Sequence, residues 1–113
     1  MNLDHFFAAL ADPTRRAVVE KLTAGPASVS VLAAPHDMAL PTFLRHLKVL
    51  EKAGVVRSIK KGRVRTCQID PETLWAAQGW LAWQRAVWEN RMDAKNQLAF
   101  TLEEDRDDCP DDI

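Results

Sequence analysis

From Leu40 to Leu50 the apolar residues Leu40, Phe43, Leu44, Leu47 and Leu50 recur at the i, i+3, i+4, i+7 rhythm of one helical face. A few residues later the period changes to that of strands. This change constrains the chain more than any other feature, because a helix that runs straight into a hairpin must bury its stripe against something upstream. The rhythm predicts a helix from about Leu40 to Ala53, closed by Gly54, with all five apolar residues on a buried face. Val55–Lys60 and Val64–Ile69 then read as two short strands. Lys61-Gly62-Arg63 joins them, and Gly62 supplies the positive φ that a tight hairpin turn tends to need.

The upstream segment carries the punctuation of three more helices. Asp4 caps a short first helix with Phe6, Phe7 and Leu10. Asp12-Pro13 restarts the chain, Asp as N-cap and Pro at the first helical position. The second helix runs to about Thr23 with Val18, Val19 and Leu22 inward, and Gly25-Pro26 stops it. Ser28 caps a third helix that buries Val29 and Leu32 and ends before Pro35; His36-Asp37-Met38 turns into the fourth. After Asp70-Pro71 a long helix follows, about Glu72 to Leu102. The expected fold is mainly α, in the order helix, helix, helix, helix, strand, strand, helix. A chain of 113 residues is one domain, assigned to residues 1–102. Residues 103–113, EEDRDDCPDDI, read as a disordered acidic tail.

The net charge of −1 conceals a division. Pro13–Thr66 holds eleven bases and three acids, a net of +8, whereas Cys67–Ile113 holds four bases and eleven acids, a net of −7. A basic middle suggests a polyanion partner. Arg57, Lys60, Lys61, Arg63 and Arg65 crowd one hairpin, where like charges repel and phosphate contact would offset the cost. Opposite the apolar stripe of the fourth helix lie Pro41, Thr42, Arg45, His46, Val49 and Lys52, with Lys48 at the edge. A short helix, a turn, a longer helix and a basic hairpin form the winged helix-turn-helix layout. One helix enters the major groove and the hairpin holds register on phosphates. The candidate DNA-binding residues are therefore Pro41, Thr42, Arg45, His46, Lys48, Arg57, Lys60, Lys61, Arg63 and Arg65. His46 has two readings, a base or phosphate contact, or a hydrogen bond within the fold.

The stretch from Phe6 to Gln68, with ALADPTRRAVVEKL and ALPTFLRHLKVLEKAGVVRSIKKGRVRTCQI, resembles the ArsR-type (ArsR/SmtB-like) winged-helix repressors. The resemblance implies a dimeric, DNA-binding repressor. It makes the fourth helix the recognition helix and the Lys61–Arg63 hairpin the wing, and it puts the dimer interface on the first and last helices. Two departures are informative. SVSVLAAP has no Cys and Glu72–Leu102 has no His, so the chain falls in a subgroup without the metal-binding motifs. Ala39 and Leu44 stand where many relatives resemble one another in using serine, which leaves Thr42, Arg45 and His46 to read the operator.

Trp75, Trp80, Trp83 and Trp88 share the last helix with Leu74, Leu81, Val87, Met92 and Leu98, on more than one face. Packing against a second copy is the direct solution. It gives a dimer interface of Phe6, Phe7, Leu74, Trp80, Trp83, Val87, Trp88, Met92 and Leu98. The alternative is an aromatic pocket for an organic effector, anchored by Arg85 and Arg91. Cys67 and Cys109 match no zinc spacing and read as free thiols, although Arg65 beside Cys67 would suit a thiol sensor. There is no Gly-rich phosphate loop, nucleophile–base pair or paired carboxylate on an ordered element, so no enzyme and no cofactor are expected. No apolar run approaches a membrane span and Met1–Leu10 does not read as a signal peptide, so a cytoplasmic protein is expected. The expected function is a homodimeric, metal-independent repressor on an inverted-repeat operator in double-stranded DNA. The alternatives are a winged-helix protein-interaction module without DNA binding, and a repressor gated by an organic effector or by Cys67 oxidation.

Overall fold

The computed structural model describes residues 3–102, and the side chains of residues 3–93. The predicted tail, 103–113, lies outside them. Helix α1 (Leu3–Leu10) begins one residue ahead of Asp4, which sits in its first turn. Helix α2 (Pro13–Leu22) starts as expected: Asp12 Oδ2 accepts from the Arg15 N–H at 3.0 Å, and Pro13 opens the helix. Then come β1 (Ala27–Ser28), α3 (Val29–Ala33), α4 (Leu40–Lys52), β2 (Val56–Lys61), β3 (Val64–Ile69) and α5 (Pro71–Leu102). Ser28 Oγ caps α3, accepting from the Val31 N–H at 3.3 Å.

The sheet corrects the expectation of two strands. It has three, in the order β1-β3-β2, because Ala27 and Ser28 pair antiparallel with Cys67 and Thr66. Two residues carry no alternation to read; the pairing exists only because the fold brings them to the free edge of β3. The α4 stripe needs a second correction. Phe43, Leu47 and Leu50 are buried with Phe6, Ala9, Val18, Leu22, Leu32, Val55, Val56, Cys67 and Ala77, but Leu40 and Leu44 are 53% and 41% exposed. The buried face of α4 is one ridge narrower than its apolar face.

Gly54 ends α4 at φ +76°, where a Cβ would stand 2.9 Å from Oγ1 of the buried Thr73, in the first turn of α5. Gly62 turns the hairpin at φ +61° with open space around it. Gly54→Ala therefore combines backbone strain with a collision, and we expect it to cost about 2–3 kcal/mol. Gly62→Ala should cost about 1 kcal/mol from the backbone alone. Thermal unfolding followed by circular dichroism checks the order, and equal losses would remove the Thr73 contact from the account.

The chain divides into two compact units, one through Gln78 and one from Gly79. Within the first, α5 contributes Thr73 and Ala77 to the core, with Leu74 packed against it. In the second, Trp80, Leu81, Trp83, Val87 and Trp88 are exposed along α5. No helix among the described residues is long and apolar enough to cross a membrane.

Candidate nucleic-acid interface

Helix α4 is preceded by Ala39 at its N-cap, which offers no side-chain cap, so its first N–H groups have no side-chain partner from that position. Pro41, Thr42, Arg45 and Lys48 are all exposed on α4. Strand alternation sorts the cations of the hairpin. Lys60 and Arg65 are cross-strand partners on the face that also carries Val56, Ser58, Cys67 and Ile69. Arg57 and Lys61 lie on the other face, and Arg63 is in the turn. Like charges directly opposite each other are unfavourable, so the Lys60–Arg65 pair costs stability until an anion covers it. Among the described residues Arg85 pairs with Glu89, and no Lys or Arg of α4 or of the hairpin is in an ion pair; His46 Nδ1, on α4, lies 3.7 Å from Asp12 Oδ2.

One polar relay fastens the hairpin to α4. Arg65 Nη1 donates to Ser58 Oγ at 3.0 Å, and Ser58 Oγ donates to Glu51 Oε2 at 2.7 Å. Arg65 is thus held in place, whereas Lys60, Lys61 and Arg63 extend from the hairpin without such a tether among the described residues.

His46, for which two readings stood open, is engaged within the fold. Arg15 Nη1 lies 3.0 Å from His46 Nδ1, and because a guanidinium only donates, Nδ1 is the acceptor. Arg15 also donates through Nε to the Ala9 carbonyl at 2.6 Å and through Nη2 to the Ala8 carbonyl at 3.3 Å. Arg16 Nη1 adds the Leu10 carbonyl at 2.9 Å. Two arginines counted in the sequence only as basic charge therefore close the C-terminus of α1, where carbonyls lack helical partners and the dipole favours cations. His36, isolated in the sequence, stacks on Phe43 with ring centroids 5.4 Å apart.

The residues assigned to a dimer interface divide. Phe6 is 4% exposed and spent on the chain's own core, while Phe7 is 38% exposed. Leu74 is half-buried in the first unit. Trp80, Trp83, Val87 and Trp88 are exposed and Met92 is half-buried; the side chain of Leu98 lies outside the described ones.

Cys67 is fully buried. Burial and then the charge of Glu51 push its thiol above the usual range, against a weaker opposing pull from Arg65. That environment disfavours the thiolate a sensor needs. In a Cys109→Ser background, Cys67 should stay unreactive towards a disulfide reagent until the protein is unfolded. Fast labelling of the native protein would reinstate the thiol-sensor reading. Among the described residues no group of three or more His, Cys, Asp or Glu side chains is placed to hold a metal ion.

Residues 10–59 match a family model described as a helix-turn-helix domain. The chain is 42% identical over 86 residues to the HTH-type transcriptional regulator Rv2034 of Mycobacterium tuberculosis, covering 74% of this chain and 80% of that one. It is 25% identical over 79 residues to the transcriptional repressor SdpR of Bacillus subtilis, covering 70% and 88%. Among solved structures, the crystal structure of an ArsR family transcriptional regulator, RHA00566, superposes with a TM-score of 0.74 at 55% identity, over 77% of this chain and 96% of that one. The chain belongs to the ArsR-type family of winged helix-turn-helix transcriptional regulators, DNA-binding proteins rather than enzymes, and its described residues carry no evident metal-binding motif.

Proposed function

We propose that this regulator is a repressor that binds an inverted-repeat operator as a homodimer, with α4 in the major groove and the β2–β3 hairpin on the flanking phosphates. The observation that carries the reading is the set of Lys and Arg side chains on α4 and the hairpin, none of them in an ion pair among the described residues, on elements of the arrangement that such a contact requires. Repression is supported by the likeness to SdpR, a named repressor. The homodimer is supported by the exposed Trp80, Trp83 and Trp88 with Val87, an apolar stretch that a second copy would cover. Affinity comes mainly from Lys and Arg on phosphates. Arg45 and Thr42 meet base edges, Arg45 through a bidentate contact to guanine. The repressor is metal-independent in this reading, which the lack of a His, Cys, Asp or Glu cluster among the described residues supports.

Selection of bound duplexes from a random DNA pool, followed by salt titration, tests this reading. An enriched inverted repeat, bound more weakly as salt rises, is expected; weak uniform binding with no enrichment would overturn it. On the selected duplex, Arg45→Ala should cost about 1–3 kcal/mol and relax selectivity at one base pair per half-site. An equal loss on random DNA would make Arg45 a phosphate contact.

A further inference from the structure

The most unusual feature of the α4 surface is apolar. Leu40 and Leu44 stand one helical turn apart and remain 53% and 41% exposed, although their spacing matches the buried stripe. With Val64 of the hairpin, itself 53% exposed, they line a cleft of about 430 Å³ whose other walls include Lys60, Arg63 and Arg65. Single exposed leucines are ordinary; three large apolar residues lining one cleft between the recognition helix and a cationic hairpin are not.

We infer that Leu40 and Leu44 are specificity-determining residues that read thymine by its C5-methyl group, an inference that rests on the DNA-binding reading above. The hairpin cations mark the neighbouring space for phosphate, so the occupant of the cleft belongs to a polyanion. Phosphate oxygens gain nothing from isobutyl groups. In the major groove the apolar feature on offer is the thymine methyl. Leucine also discriminates by exclusion. A guanine O6 or a cytosine amino group pressed against it would lose its water and find no partner. With His46 engaged by Arg15, the reading set on α4 becomes Leu40, Thr42, Leu44 and Arg45, half of it apolar.

The test replaces thymine by uracil in the selected duplex, which deletes the methyl group and leaves every base-pairing hydrogen bond in place. Wild-type protein should bind the uracil duplex about three- to fivefold more weakly for each methyl that is read. Leu40→Ala and Leu44→Ala proteins should each lose their share of that difference and bind the two duplexes more nearly alike. Arg45→Ala, weaker on both, should keep the full difference. Both leucines are exposed, so these variants should retain the wild-type melting temperature, which confirms that they are folded. Equal binding of the two duplexes by wild type overturns the inference, as does a methyl effect that survives both leucine substitutions. A selected operator without thymine in the half-site does the same. Each of these leaves the repressor reading standing, whereas failure to enrich any duplex ends both.

Discussion

Replacing Lys61 and Arg63 together by glutamine should weaken binding to the selected duplex on the order of 50-fold per protomer at 0.1 M salt. It should also flatten the salt dependence. Each phosphate neutralised by a cation releases condensed counterions and contributes roughly 0.9 to the slope of log K against log salt, so two contacts contribute about 1.8. Operator and random DNA should lose affinity nearly equally, since phosphates carry no sequence. The fold should be indifferent or slightly stabilised, because both residues are exposed, Arg63 in the turn itself, and their removal relieves repulsion within the hairpin. An unchanged slope would take the hairpin out of the interface. A slope that falls only on the operator would make it a reader of bases.

Arg15→Ala should be the most damaging substitution of a charged residue in this protein, at about 2–4 kcal/mol, or at least 10 °C in Tm. It leaves the Ala8 and Ala9 carbonyls and His46 Nδ1 without the guanidinium that now serves all three. Arg15→Lys should recover less than half, since a single ammonium cannot reproduce a planar fork. Arg16→Ala, which loses one exposed bond to the Leu10 carbonyl, should cost under about 1 kcal/mol. Chemical denaturation of the three variants checks the order, and an Arg15→Ala protein as stable as Arg16→Ala would dissolve the clamp. The same corner bears on acid stability. Burial raises the pKa of Asp12, but the Arg15 N–H, the His46 ring, the Arg15 guanidinium and the Thr14 N–H outweigh it and hold the carboxyl below its ordinary value. A folded-state pKa below the unfolded one means stabilisation that is complete above the ordinary carboxylate range. It is lost as pH falls through the lowered value.

Local chemistry already specified most of the architecture. Asp12-Pro13 and Ser28 mark their helix starts because a capping side chain acts on backbone two or three residues away. Gly62 marks its turn because the φ it needs is a property of that residue. The basic hairpin was legible because charge needs no partner to be counted, and LADPTRR and RHLKVLEKAGVV carried the family resemblance. Tertiary packing decided the rest. Periodicity placed Leu40 and Leu44 in one stripe with Phe43, Leu47 and Leu50. Which part of a stripe is covered depends on the elements that reach it, and here no described element closes over Leu40 and Leu44 in the N-terminal half of α4. The strand at Ala27–Ser28 and the Glu51–Ser58–Arg65 relay join residues that only folding brings together. The same holds for Arg15 and His46, 31 positions apart. Sequence reads Arg15 as one of eleven bases and leaves His46 with two readings, whereas the structure joins them in one hydrogen bond, because a charge is intrinsic to a residue and its partner is not.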